Sequence, residues 1–539
     1  MGDQGQHQAG LPEPIKKRSV ASCFIFRVPR DGKGKPAVAL FRRSEKVRTY
    51  RHHLAPIAGS IDNEDKSPLD TAWRELQEET SLTPSSLELW RKGKPYTFSD
   101  AAIGREWTIH PFAFRLKEPD EGGLGEEGIQ TDWEHEEWQW FDPDTVSDNE
   151  SFGAVPRLRD SLRRVWYEGE MPEHASKALT TGLSHLHTHQ DGSRELTALA
   201  LTAFRDVVTQ TRDGIDEHWW ELIRMAVWHL WKNGRESMGI STINALVGVL
   251  ADMNDILGQN IGAEQKWDRM LAMADLHLAN RKCIPARIRD SFVSYIQSHF
   301  LAGSEPRSKL TILTVSASST IRDSILDAYA SLEGIEELEL RILESRPLFE
   351  GVSIASSLLS KFQSQFQDSP NKRLKMTIYT DASAALAAAD VDIVLFGADR
   401  ISPAKGVCNK TGSLPAVLGA RHAAPKAKVL VLSELEKVEG ECCGVQEENA
   451  FEENDPIEVL SGWHNDGVKG ISILEDEINR TKSGKCETSK VEVKNIYFEW
   501  VPLSLVDAFV SEEGVLDEQK IRDKSQEVGA NLERYLGGL

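Results

Sequence analysis

Hydrophobic and polar positions change rhythm twice along the chain. From about Arg18 to Phe141, short β-rich runs such as "VASCFIFRV", "AVALFRRS", "TIHPFAFRL" and "EWQWF" surround a single charged helix. The acidic, glycine-rich "KEPDEGGLGEEG" between the last two runs reads as a surface insertion. This predicts one α/β domain over residues 18–145, after a disordered polar tail at 1–17. Next comes a mixture of Pro, Gly, Ser and charge that reads as a linker over 146–190. A helical period then predicts a helical subdomain over 191–305, within which "EHWWELIRMAVWHLWKNG" sets Trp220, Val227 and Trp231 on one packed face. After Leu310 the rhythm becomes continuous apolar runs followed by helices: "LTILTVS", "LELRILES", "MTIYTDA", "VDIVLFGAD" and "KVLVLSE". Strands buried on both faces predict a Rossmann-like, doubly wound parallel sheet over 306–530. Ligands of such a sheet are expected beyond the carboxyl ends of its strands.

Composition narrows the class. A chain of 539 residues is too long for one core, and 40% hydrophobic with 27% charged residues fits a soluble globular protein. No apolar run approaches the ~20 residues of a membrane span. The first residues are polar and lack the apolar segment of a secretory signal, and Gln6 stands where N-myristoylation needs Ser or Thr. Six cysteines are scattered, only Cys442 and Cys443 are neighbours, and no metal-binding spacing occurs, so a reducing cytosol is the expected location. A net charge of −21 argues against direct nucleic-acid binding, although a local basic pocket could still hold a phosphate.

The charged helix carries the first candidate chemistry. Ser67 is an N-cap with Pro68 at the first helical position, and Leu69, Ala72 or Trp73, and Leu76 form an apolar stripe. Glu75, Glu78 and Glu79 fall at i, i+3 and i+4, so three carboxylates share one face, and Arg74 relieves part of their repulsion. A Glu-rich exposed face is the ordinary alternative. Clustered carboxylate oxygens otherwise suit Mg²⁺ or Mn²⁺, which bridge to substrate phosphates.

The stretch "GSIDNEDKSPLDTAWRELQEETSL", Gly59 to Leu82, resembles the Nudix box, whose core R-E-x-x-E-E stands intact from Arg74 to Glu79. The flanking strand order also matches, and the later "EHEEWQWF" resembles the family's closing strand, with Glu137 where a further acid often contributes. Three positions depart: Ser60 replaces a glycine, Lys66 replaces an upstream glutamate, and Ser81 replaces the glycine after the acidic pair. The resemblance implies an α/β/α sandwich that hydrolyses a nucleoside diphosphate linked to another moiety. It implies Glu75, Glu78 and Glu79 as metal ligands, with Arg74 among the catalytic residues. The metal would neutralise the diphosphate and acidify a water, with Glu79 or Glu137 as general base.

In the second half, "VDIVLFGADRISPAKGVCNKTGSLPAVLGARH" ends a buried strand at Asp399 and offers Asn409 and Lys410 before a helix, a sensible sugar-phosphate site. The segment resembles the G-A-D-x(n)-N-K-x-G-T signature of two groups. One is the regulatory subunits of initiation factor 2B. The other is the isomerases of methylthioribose 1-phosphate and ribose 1,5-bisphosphate. "ESRPLFEG", "YTDASAA", "NIYFEWVP" and "SEEG" follow the same family in order, while Ser413 departs from its threonine. In those isomerases an Asp, here Asp399, works with a Cys at the end of an earlier strand. Ser316 stands where that Cys aligns, and a hydroxyl is a much poorer acid than a thiol. Cys408 reads as a buried structural residue. Arg346, Asn409 and Lys410 remain candidates for a phosphorylated sugar.

Three functions follow. One is a metal-dependent Nudix pyrophosphohydrolase fused to a ligand-binding or assembly module. Its candidate substrate is ADP-ribose, because cleavage would release ribose 5-phosphate. The second is a translation-associated assembly protein, partnered by initiation-factor subunits, with a vestigial Nudix part. The third makes the second half a working aldose–ketose isomerase. The resemblance further implies a homodimer through the C-terminal domain.

Overall fold

A computed structural model describes residues 16–29, 34–101, 103–187, 192–212, 214–236, 239–302, 307–441, 454–482 and 491–539. Most of the expected tail and the Cys442–Cys443 pair lie outside the described residues. The chain forms two compact units. Met1–His187, Ala203–Gly234 and Leu539 make the first, and Thr188–Thr202 with Arg235–Gly538 the second.

The first unit is built on β1 (Lys16–Arg27), β2 (Ala37–Arg43), β3 (Leu54–Ala55), β4 (Ile57–Ser60), helix α1 (Pro68–Thr80), β5 (Leu87–Lys92), β6 (Tyr96–Asp100), β7 (Arg105–Leu116) and β8 (His135–Phe141). The strand order is β3-β2-β1-β7-β5, with β4 on β1, β6 on β7 and β8 on β2. β1 and β7 run parallel, from Lys16 opposite Arg105 to Phe26 opposite Arg115. The other pairs are antiparallel. Alternation along β1 makes two layers. Ala21, Cys23 and Ile25 pack with Ala72 and Leu76 of α1, while Phe24 and Phe26 pack with Leu158 and Leu162 of α2 (Leu158–Arg163).

Helices α3 (Glu173–Leu186), α4 (Ser193–Thr209) and α5 (Glu217–Lys232) follow. The division between the units falls within α4, so the stretch 191–305, expected as one subdomain, is shared between them. In α5 the buried face is Trp219, Ile223, Ala226, Val227 and Leu230; of the three residues expected there, only Val227 is buried. The helix is turned by its polar anchors. His229 meets the Tyr167 ring edge-on at 4.8 Å, and the Lys92 backbone N–H donates to Asn233 Oδ1 at 2.6 Å.

The second unit begins with α6 (Gly239–Leu257), α7 (Ala263–Arg281) and α8 (Ile284–Ile296). The expectation that no apolar stretch reaches spanning length is corrected at α6. That helix is long and apolar enough to cross a membrane by length and composition alone, and 61% of its apolar window is buried, as in a core helix. Then come β9 (Lys309–Val315), α9 (Ser319–Ser331), β10 (Glu337–Leu343), α10 (Glu350–Gln365), β11 (Arg373–Tyr379), α11 (Ala384–Ala387) and β12 (Ile393–Phe396). They are followed by β13 (Arg400–Ser402), β14 (Gly406–Lys410), α12 (Ser413–Ala423), β15 (Lys428–Leu432), β16 (Phe498–Val501), β17 (Ala508–Ser511) and β18 (Gly514–Leu516). Seven strands form one sheet in the order β11-β10-β9-β12-β15-β17-β18, parallel except for the last pair. Chain direction across the sheet reverses between β9 and β12, the doubly wound arrangement whose crevice lies at that switch point. β13, β14 and β16 form a separate small sheet.

Candidate functional site

Local sequence fixes α1. The Ser67 hydroxyl accepts from Asp70 N–H, Pro68 occupies the first turn, and Ser81 ends the helix at φ 60 with its N–H on the Gln77 carbonyl. Ser81 therefore takes the left-handed path of the glycine it replaces. Trp73 meets the Phe114 ring edge-on at 4.7 Å, and buried Leu76 fastens the apolar face, leaving the acidic face toward β4.

The three carboxylates are not equivalent. Glu75 and Glu79 are 12% and 5% exposed, whereas Glu78 is 59% exposed. Arg74 organises this face through one guanidinium: Nη1 donates to Glu75 Oε1 at 2.7 Å and to Glu78 Oε2 at 3.3 Å, and Nη2 donates to Asp65 Oδ2 at 2.9 Å and the Ser60 carbonyl at 3.2 Å. Asp65 also accepts the Thr71 hydroxyl at 2.8 Å. Its contact with Arg74 holds its carboxyl far below the usual range. A carboxylate absent at Lys66 is thus supplied to Arg74 one residue earlier.

Glu75 and Glu79 lie against each other. Burial, then the Glu79 charge, pushes Glu75 up to about 7; burial, then Glu134, pushes Glu79 up to about 8. Glu79 Oε2 lies 2.6 Å from His135 Nε2 in the interior, and burial brings that imidazole down to about 4, so it adds no full positive charge. Gly59 leaves this pair its room: a Cβ there would sit 1.8 Å from Glu75 Oε1.

Among the described residues no group of three or more His, Cys, Asp or Glu side chains is placed to hold a metal ion. Two hard, buried carboxylates short of positive charge nevertheless fit a divalent cation in donor chemistry. Glu78, the third expected ligand, is turned outward to Arg74.

Glu137 is not brought to the pair. It is 65% exposed and accepts from Arg42 Nε at 2.9 Å. Glu137 pairs with Arg42 and alternates with Trp138, which packs on the α1 core, so it faces the other way; the bulge at Glu136, between the Arg42–Glu137 and Arg43–His135 pairs, brings His135 rather than Glu137 to the α1 side. His135 occupies that interior instead. It was missed because its signal, one histidine at the start of an acidic strand, is unspecific.

At the switch point of the second sheet the structure gathers several predicted residues. Ser316, at φ 72 just past β9, donates its N–H to Ser345 Oγ at 2.9 Å and its hydroxyl to Glu350 Oε2 at 3.3 Å. Lys410 Nζ lies 3.2 Å from Glu350 Oε1 and over the Tyr497 ring at 4.7 Å. Asn409 Nδ2 donates to Ser413 Oγ at 2.7 Å inside the protein. Arg346 turns to Glu344, its Nε donating at 2.9 Å, while Asp381 accepts its backbone N–H at 2.8 Å. Asp399 donates its backbone N–H to the Cys408 carbonyl at 2.9 Å, and burial followed by the Asp399 charge pushes the Cys408 thiol up to about 12. The start of α12, expected to favour an anion, already serves Glu499, whose Oε1 accepts from Gly412 N–H at 2.6 Å and Leu414 N–H at 2.9 Å. Lys410 and this helix start are thus both answered by the protein's own carboxylates, Glu350 and Glu499, which sequence reasoning overlooked.

Together these features define a two-module chain, a mixed-sheet domain with a carboxylate-bearing helix and a doubly wound domain with a polar switch point. The second module settles the family: residues 189–518, more than half of the chain, match the Initiation factor 2 subunit family, and the chain belongs to it. Residues 17–165 match the NUDIX domain. No curated protein gives a match. Similar solved structures include the translation initiation factor eIF-2B of Pyrococcus horikoshii OT3, at 17% identity over 64% of this chain and 98% of that one, with a TM-score of 0.40. The tetrameric eIF2B-beta2-delta2 complex of C. thermophilum gives 13% identity, 67% and 98% coverage and a TM-score of 0.46. The 5-methylthioribose 1-phosphate isomerase of Pyrococcus horikoshii OT3 gives 16%, 68% and 88%, with a TM-score of 0.40.

Proposed function

We propose that the N-terminal domain is a metal-dependent hydrolase of a nucleoside diphosphate linked to another moiety. The observation that carries this is the buried Glu75–Glu79 pair, left without full charge compensation behind a glycine. Glu75 and Glu79 would hold Mg²⁺ or Mn²⁺, with Glu78 as the exposed third carboxylate. When bound, the ion supplies positive charge against the diphosphate and acidifies water. Arg74 sets the rotamer of Glu75 and ties helix to loop through Asp65 and Ser60, while His135 fixes Glu79. Glu79 is our candidate for the proton-accepting group. ADP-ribose is the first substrate to try, because its cleavage yields a sugar phosphate in a chain that carries a sheet of the sugar-phosphate isomerase type.

The test is product analysis by mass spectrometry after incubation with Mg²⁺ or Mn²⁺ and ADP-ribose, diadenosine polyphosphates, NADH, coenzyme A and nucleotide sugars. Cleavage of one compound, lost in Glu79→Gln, is the expected result; no cleavage of any would sink the assignment for these substrates.

For the second module we infer assembly or ligand sensing in preference to isomerisation. Ser316 replaces the thiol, and its hydroxyl is engaged by Glu350. Mass photometry of the full chain should find a dimer. Conversion of methylthioribose 1-phosphate or ribose 1,5-bisphosphate to a ketose, abolished by Asp399→Asn, would restore the isomerase reading.

A further inference from the structure

The switch-point crevice of the second unit, about 230 Å³, has Arg346, Glu350, Lys410 and Tyr497 among its lining residues. Between β15 and β16 the chain also forms two helices, α13 (Ile457–Asn465) and α14 (Ile471–Lys482). Both ends of α13 reach residues that line the crevice. In its first turn, Glu458 Oε2 accepts from the Tyr497 hydroxyl and, at 2.8 Å, from Asn495 Nδ2. At the residue that ends it, Asp466 Oδ2 lies 3.8 Å from Arg346 Nη1.

The two attachments differ in strength. Asn495 is buried; its Nδ2 also donates to the Asp455 carbonyl at 2.8 Å and its carbonyl accepts from Asn454 N–H at 2.9 Å, so the Glu458 end is pinned. Arg346 and Asp466 are 48% and 61% exposed, and an ion pair so long and so well solvated holds weakly. Burial does not make up the difference. Among the described residues α13 buries no side chain and α14 buries Ile478, while Ile457 and Ile473 stand exposed. A hairpin with so few buried apolar contacts opens at low cost and independently of the core. Arg346 itself is anchored through its backbone. Asp381 accepts from the N–H groups of Ser345 and Arg346, at 2.9 and 2.8 Å, so the main chain is fixed while the exposed guanidinium can change partner.

We infer that α13 and α14 form a flap on the crevice, hinged at Glu458 and Asn495 and latched by Asp466 on Arg346, and that a phosphate-bearing ligand opens it by taking the guanidinium. A planar guanidinium binds two phosphate oxygens at once, a geometry that one carboxylate oxygen at 3.8 Å does not match. Lys410, shared with Glu350, lines the same crevice and adds positive charge. Asp466 and the ligand therefore compete for one cation, and opening of the flap reports that the crevice is occupied. The inference rests on the ligand-sensing reading of the second module, for which it supplies the element that responds.

The test is hydrogen–deuterium exchange of the full chain with and without ribose 5-phosphate or inorganic phosphate, beside calorimetric titration of the same two ligands. Exchange across 457–482 should accelerate at least about threefold at saturation. Acceleration by both ligands shows that the phosphoryl group suffices, and acceleration by ribose 5-phosphate alone supports the flap with the sugar as part of the recognised group. Asp466→Asn should exchange fast without ligand and bind about two- to fivefold more tightly. Asp476→Asn removes the same charge from an exposed position of α14 and should behave as wild type in both measurements. The inference is overturned if the hairpin is unchanged or more protected in saturating ligand, or if the two variants behave alike; the second module then keeps its ligand and loses the flap. Absence of binding by either ligand in wild type, Asp466→Asn and Glu350→Gln would remove the ligand-sensing reading itself, and the flap with it.

Discussion

At the scale of single residues, Gly59 separates stability from chemistry. In Gly59→Ala the new Cβ meets the end of a flexible side chain, so the fold should survive while Glu75 is displaced. We expect an unchanged thermal midpoint and a loss of turnover of at least about tenfold, read from melting curves and steady-state rates on the substrate found. Ser81 gives the opposite contrast: Ser81→Gly relieves a left-handed φ of 60 and should stabilise the protein by about 1 kcal/mol, visible as a higher melting temperature. Glu75 and Glu79 were legible in the sequence because helical spacing alone places them together. Asp65, His135 and Glu350 were not, since each matters through one partner distant in the chain or hidden by the fold, respectively Arg74, Glu79 and Lys410.

At the scale of elements, periodicity predicted well wherever the period is unbroken and failed where one residue disturbs it. The cap at Ser67, the stripe through Leu76 and the apolar strands of the second sheet all follow from regular spacing. The β2–β8 bulge is invisible to such counting and brings His135 to Glu79, while Glu137, alternating with Trp138, stays at the surface. Glu137→Gln should therefore change turnover by no more than about twofold, as befits an exposed ion pair with Arg42. α5 was rotated for a related reason, because His229 and Asn233 hold the buried face and no apolar count weighs them. At the start of α10, Glu350 neutralises Lys410. Glu350→Gln should free that cation and tighten inorganic phosphate binding about tenfold, measured by calorimetry.

At the scale of the whole molecule, the doubly wound character of the second sheet was readable from its continuous apolar strands, whereas the order of neighbours within it was not, because strands buried on both faces look alike in sequence. Stability of the second unit should be acid-sensitive through Glu434. Burial opposes its charge, but Lys437 and Arg194 outweigh burial and bring it down to about 2 from its ordinary 4.5. A depressed carboxyl contributes stability above its unfolded pKa and loses it as pH falls toward the folded one. The unfolding midpoint should drop between about pH 4.5 and 2, while Glu434→Gln, destabilised at pH 7 by about 3–5 kcal/mol, converges on wild type over that window. The parallel β1–β7 pair has a consequence of another kind. Its strands lie about ninety residues apart in the chain, so the centre of the first sheet closes only by a long-range encounter. During synthesis β1 emerges early and waits, its apolar stretch unpaired on that side, until β7 clears the ribosome. A nascent chain arrested with residues up to 100 outside the exit tunnel should be protease-sensitive and chaperone-bound, and one arrested with residues up to 145 outside should resist digestion.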